Sequence, residues 1–207
     1  MTIDSLVLID KPVGMTSFGV VARVRRQLSQ QVGHKVKVGH AGTLDPFATG
    51  LMIILTGKET KNAGDYSKLD KVYEATLILG KTSTTGDPEG EITPTVHTRA
   101  QPLGGEVEAV LRSFVGEITQ TPPIYSAIKI NGQRAYKLAR QGKTPEMPTR
   151  EVTIYDIKLL KYNYPILKIR VHCSSGTYIR SLAADIGQKL GTAAYTSALR
   201  RLKIGDF

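Results

Sequence analysis

The sequence predicts an α+β protein: a mixed, mostly antiparallel sheet with flanking helices. Three observations lead there. Apolar or alternating runs at residues 6–9, 51–55, 71–79, 152–160 and 167–173 read as strands. Stretches with helical spacing of apolar residues lie between them, at 18–28, 107–114 and 177–191. No linker-like change of composition divides the 207 residues, so a single domain over 1–207 is expected, with an insertion at about 120–150.

Taken in order, the run 6–9 reads as a buried strand, broken by Asp10-Lys11-Pro12-Val13-Gly14. Thr16 or Ser17 can cap the helix that follows, in which Phe18, Val21, Val24 and Leu28 share a face and Arg23 and Arg26 do not. That basic face is either solvated or in contact with a polyanion. Leu51 opens a second buried strand. The Gly57-Lys58-Glu59 that follows is no phosphate loop: the first glycine is misplaced, and a glutamate stands where a hydroxyl is needed. Residues 71–79 alternate, with Tyr73, Ala75, Leu77 and Leu79 on one face. Residues 80–94, rich in Gly, Thr, Asp and Pro, read as an exposed loop. Val107, Val110, Leu111 and Phe114 mark a helix. Pro122-Pro123 then opens a basic, glycine-punctuated stretch to Gly142 that reads as an excursion from the sheet, mobile for want of core residues. Two strands follow. A helix then begins after Gly176-Thr177-Tyr178 and stops near Gly191, and Leu199-Arg200-Arg201-Leu202-Lys203 forms a basic final strand.

Twenty-eight Lys and Arg against 18 Asp and Glu give a net charge of +10, which suits nucleic acid. The excess is concentrated towards the end, where residues 161–207 hold eight basic and two acidic side chains. A membrane surface is the other polyanion, but no basic amphipathic helix with aromatic anchors supports it, and no apolar run is long enough to span a bilayer. No charged-then-apolar leader opens the chain, so the expected location is the cytoplasm. The single cysteine, Cys173, reads as a packed thiol in a reducing compartment. His34, His40, His97 and His172 lack metal-ligand spacing, so no metal is expected.

One stretch stands apart: Gly39-His40-Ala41-Gly42-Thr43-Leu44-Asp45-Pro46-Phe47-Ala48-Thr49-Gly50. Glycines permit close backbone approach, and Pro46 biases Asp45 towards an extended or turn conformation. The loop is stiff and presents one acid ahead of a strand. On the residues alone Asp45 reads either as a turn starter bonding its own backbone or as a site carboxylate.

This stretch, with Met15-Thr16-Ser17-Phe18 before it and blocks at 71–73, 120–142 and 171–191 after it, resembles the TruB family of tRNA pseudouridine synthases. The resemblance covers nearly the whole chain. It implies the pseudouridine synthase catalytic fold. It implies conversion of uridine to pseudouridine at position 55 in the T-loop of tRNA, by base flipping, aspartate-dependent C–N cleavage and C–C formation, without a cofactor. It makes Asp45 the catalytic residue and Arg180 the partner that orients it. It places Tyr73 and Tyr178 against the base, Leu199 as an apolar wall, and His40 on the extruded RNA. The excursion resembles the family's loop that closes over RNA, and its Lys129, Arg134, Lys137 and Arg140 are the expected phosphate contacts. Departures are Ala41, Phe47 and Ser175 at positions where other residues are commoner, and the lack of the RNA-binding PUA domain that usually follows. The expected partner is the tRNA T-stem-loop, bound by a monomer. Two rivals stay open: an enzyme of the same fold working within a guide-RNA complex, and an RNA-binding or tRNA-folding module.

Overall fold

The computed structural model describes residues 3–95 and 101–207. His97 lies outside the described residues. The first half of the chain runs β1 (Ser5–Lys11), α1 (Ser17–Val32), β2 (Val38–His40), β3 (Thr49–Thr56), a 3-10 turn (Gly57–Asn62), α2 (Ala63–Lys68), β4 (Lys71–Leu79), β5 (Lys81–Ser83) and β6 (Ile92–Pro94). There follow α3 (Gly104–Arg112), β7 (Gly116–Gln120), β8 (Lys129–Ile130), β9 (Gln133–Arg134), α4 (Ala135–Arg140), β10 (Arg150–Asn163), β11 (Ile166–Cys173), α5 (Ile179–Lys189) and β12 (Ala194–Ile204). These elements form two compact units, Met1–Glu74 with Leu199–Phe207, and Ala75–Ala198.

In the first unit the strand order is β1-β3-β12, with β2 also on β3. β1 and β2 run antiparallel to β3, whereas Arg200 and Arg201 of β12 pair in parallel with Thr49 and Gly50. Ala41, Ile53, Leu55 and Ile204 form the core here, with Leu6, Leu51, Ala63, Tyr66 and Leu69 packed on it. α1 starts where Thr16 accepts a 2.9 Å hydrogen bond from the Gly19 amide, and stops at Gly33 in the left-handed region. Two expectations are corrected. β1 is largely exposed rather than buried, because among the described residues it is an edge strand with a neighbour on one side only. Phe18 is 67% exposed rather than packed: helical position alone put it with Val21, but it sits in the first turn, ahead of the buried Val20 and Val21.

In the second unit the order is β12-β4-β11-β10-β7. The β10–β11 and β7–β10 ladders are antiparallel, so the sheet is mixed and mostly antiparallel. Burial alternates along β4 and β11 as period-2 geometry requires. α3 packs on β10 and α5, burying Val107 and Leu111. Residues 80–94 are not merely an exposed loop. They contain the β5–β6 ladder and a fully buried Asp87, because a tertiary partner rather than composition decides its burial. The 120–150 stretch contains a β8–β9 hairpin followed by α4. Its turn residues Asn131 and Gly132 both have positive φ (49° and 82°), the backbone an Asn-Gly hairpin turn demands.

Candidate active site

The Gly39–Gly50 stretch starts as a strand and ends as one. His40 closes β2 opposite Ile54, and the Ala41 amide still bonds the Ile53 carbonyl at 3.0 Å. The chain then turns at Asp45-Pro46-Phe47-Ala48, with the Ala48 amide donating to the Asp45 carbonyl at 3.1 Å and proline at the second turn position, where its fixed φ fits. The turn reading of Asp45 is therefore correct for its backbone. It does not exclude a site role for its half-buried carboxylate.

Three buried side chains hold this loop from inside the first unit. Ser17 donates from Oγ to the Leu44 carbonyl (2.9 Å) and accepts from the Leu44 amide (2.8 Å). Lys11 donates from Nζ to the carbonyls of Met15 (2.6 Å), Pro12 (3.0 Å) and Pro46 (3.1 Å). The Gly14 amide reaches the same Pro46 carbonyl at 2.8 Å. Arg201, 2% exposed, donates from Nε to Leu51 O (2.7 Å), from Nη2 to Gly42 O (3.3 Å) and from Nη1 to Thr43 O (3.5 Å). Gly50, at φ 106°, is what lets β12 come this close: a Cβ there would lie 2.2 Å from the Arg201 carbonyl oxygen. The final strand is thus basic in composition, but its central arginine is buried.

His40 is half-buried. Burial first, and the Arg201 guanidinium second, hold its imidazole below the ordinary histidine range, against an opposing hydrogen bond with the Gly42 backbone. At neutral pH it is an uncharged ring, suited to packing and hydrogen bonding rather than to pairing with phosphate. Tyr73 on β4 and Leu199 on β12 are the other expected site residues in this unit, both buried.

The second unit carries Tyr178 and Arg180 at the start of α5. The Gln120 side chain pins the Tyr178 backbone, its Oε1 accepting from the Tyr178 amide (2.7 Å) and its Nε2 donating to the Tyr178 carbonyl (3.1 Å). Arg150 lies over the Tyr178 ring, 5.4 Å from its centroid. The buried Arg180 donates to the carbonyls of Thr85 (2.8 Å) and Tyr125 (2.9 Å) and pairs with Asp87 at 3.2 Å. Asp87 is held in turn by Thr85 Oγ1 (2.6 Å) and the Glu89 amide (3.0 Å). Arg180 was expected as a site arginine, and it is no surface charge. Lys129, Arg134, Lys137 and Arg140 are all exposed on the hairpin and α4. Arg134 bonds the Ala127 carbonyl at 3.0 Å, and Arg140 lies over the Tyr136 ring at 5.7 Å.

Sequence reasoning missed Lys11, Ser17, Asp87, Gln120 and Arg201. Each acts on backbone or on a buried ion far away in the chain, and composition carries no sign of that. Cys173 is fully buried. Among the described residues no three His, Cys, Asp or Glu side chains form a group suited to a metal ion, and no helix is long and apolar enough to cross a membrane.

Comparisons with known proteins bear on the family. The chain is 48% identical over 201 residues to tRNA pseudouridine synthase B of Phocaeicola vulgatus, covering 95% of this chain and 84% of that protein. It is also 48% identical to the protein of the same name from Dechloromonas aromatica, covering 99% of this chain and 66% of the relative. Among solved structures it is similar to one of a Cbf5-Nop10-Gar1 complex, with TM-score 0.71 and 28% identity over 98% of this chain and 50% of the other. It is also similar to an H/ACA RNP bound to a substrate RNA containing 2'-deoxyuridine, with TM-score 0.68 and 26% identity over 97% and 47% of the two chains. Residues 25–179 match the model of the N-terminal domain of TruB family pseudouridylate synthases, and with these relatives that settles the family: the chain belongs to the TruB pseudouridylate synthases.

Proposed function

We propose that this protein isomerises uridine to pseudouridine in the T-loop of tRNA, at position 55, with Asp45 as its catalytic residue. The reaction breaks N1–C1′, turns the detached uracil and joins C5 to C1′. The C5 proton leaves and N1 gains one, so no electrons or atoms are imported. Asp45 supplies the sugar-side carboxylate, as a nucleophile at C1′ or as acceptor of a sugar proton. Arg180 is the cation that keeps it ionised and oriented. Tyr73 lies against the flipped base, Tyr178 and Leu199 line its site, and uncharged His40 contacts the extruded RNA and helps hold that conformation. Lys129, Arg134, Lys137 and Arg140 position the phosphates. These residues act as a catalytic domain, in the cytoplasm and as a monomer.

The observation that carries this reading is the loop itself. A half-buried aspartate stands on a turn braced by Lys11, Ser17 and Arg201, in a chain 48% identical to a tRNA pseudouridine synthase B. The test is release of tritium from C5 of uridine in a T-stem-loop transcript. The native chain is expected to release it at the loop uridine. Asp45→Asn, which keeps shape and removes charge, should be slower by at least about a thousandfold. Equal release by both proteins would sink Asp45 as the catalyst. Likeness to the H/ACA RNP structure favours a second reading, action within a guide-RNA assembly. Release from stem-loop by the chain alone argues against it.

A further inference from the structure

We infer that Arg201 is the positioning residue of the Asp45 loop: one buried guanidinium clamps the backbone on both sides of Asp45 and so fixes where its carboxylate stands. This rests on the reading of Asp45 given above.

The carbonyls of Gly42 and Thr43 precede Asp45, and that of Leu51 follows it; Arg201 bonds all three. A planar fork can do so only while the two arms of the loop keep their separation, so the side chain measures and holds the loop's width. Stability alone does not ask for an arginine here. Taking an ion out of water is costly, and an apolar side chain of similar volume fills such a place without that cost. None of the ion pairs among the described residues includes Arg201, so backbone carbonyls are its recorded partners. The glycines of the motif match it: Gly50 admits the Arg201 backbone, and a Cβ on Gly42 (φ 118°) would lie 3.6 Å from Nη1. The same cation faces His40, at the root of the loop, and favours its neutral form.

The test compares Arg201→Met, which removes charge and fork, with Arg201→Lys, which keeps the charge alone. Single-turnover pseudouridine formation is read at saturating T-stem-loop RNA, and affinity for the same RNA is read separately. Both variants are expected to lose about a hundredfold in rate, the cost of a loop misplaced by an ångström, with affinity within about threefold of native. The His40 ring, titrated by NMR in the free protein, should take up its proton at higher pH in Arg201→Met and close to the native pH in Arg201→Lys. A native rate in either variant, or a loss that falls on affinity instead, overturns the assignment. Should Arg201→Met not fold, Arg201→Lys carries the test alone. If the native chain itself makes no pseudouridine, the functional reading fails first. The clamp is then judged by amide exchange in Arg201→Lys: faster exchange confined to residues 41–51 supports it, and an unchanged pattern overturns it.

Discussion

Asp87 and Asp10 both pair with an arginine, yet their environments make the two pairs unequal. The Asp87 and Arg180 side chains are each 4% exposed, so removing the carboxylate takes a counter-charge from a buried guanidinium. Asp87→Asn should lower unfolding free energy by about 3–5 kcal/mol in a urea titration, because much less of the desolvation of Arg180 is then offset. Asp10 holds Arg200 in a two-point pair (3.0 and 2.6 Å) on the surface of the first unit, where water and salt compete. Asp10→Asn should cost less than about 1 kcal/mol, and a larger loss would show that exposure is the wrong guide. His40 gives a pH test. Its folded pKa lies below that of the unfolded chain, so the unfolded state binds more protons once pH drops below about 6.5. Stability should therefore decline through that range on acidification, and His40→Gln should remove this part of the slope. On the residues alone the role of Asp45 stays open and the resemblance singles it out; its turn was legible because Gly and Pro around it leave few backbone choices. Asp87 was not, since Thr85-Gly86-Asp87-Pro88 has the composition of any turn and its burial comes from Arg180, 93 residues later in the sequence.

Strands of the second unit declare themselves by period: β4 alternates without exception, and β11 does so with Leu167, Ile169, Val171 and Cys173 all fully buried. β1 does not, because an apolar run says that a segment is extended and says nothing of how many neighbours it has. The double proline and the glycines of the 120–150 stretch read as an excursion from the main sheet. Its hairpin was hidden by strands of two residues each, too short to show a period. Within residues 127–149 only Ala135 is fully buried, and α4 has six residues, too few to be stable by itself. Its amides should therefore exchange with solvent far faster than those of β11 in the RNA-free protein, and slow on addition of T-stem-loop RNA. Protection there equal to that of β11 without RNA would mean that the excursion is held as firmly as the core.

For the whole chain the governing quantity is charge. A protein at +10 binds RNA largely by displacing counterions, and each phosphate it neutralises adds about −0.7 to −0.9 to the slope of log affinity against log salt. Lys129, Arg134, Lys137 and Arg140 stand exposed within twelve residues, so replacing all four by alanine should make that slope shallower by about 3. Net charge alone would also flatten the slope, wherever the cations were removed. Lys58, Lys61 and Lys68 are equally exposed, on the 3-10 turn and α2 of the first unit. Replacing those three separates the two causes. Contact at the excursion predicts a large change from the first set and a small one from the second. Equal change per charge removed would mean that the excursion touches no phosphate, and that the positive charge acts only as a diffuse field drawing RNA in.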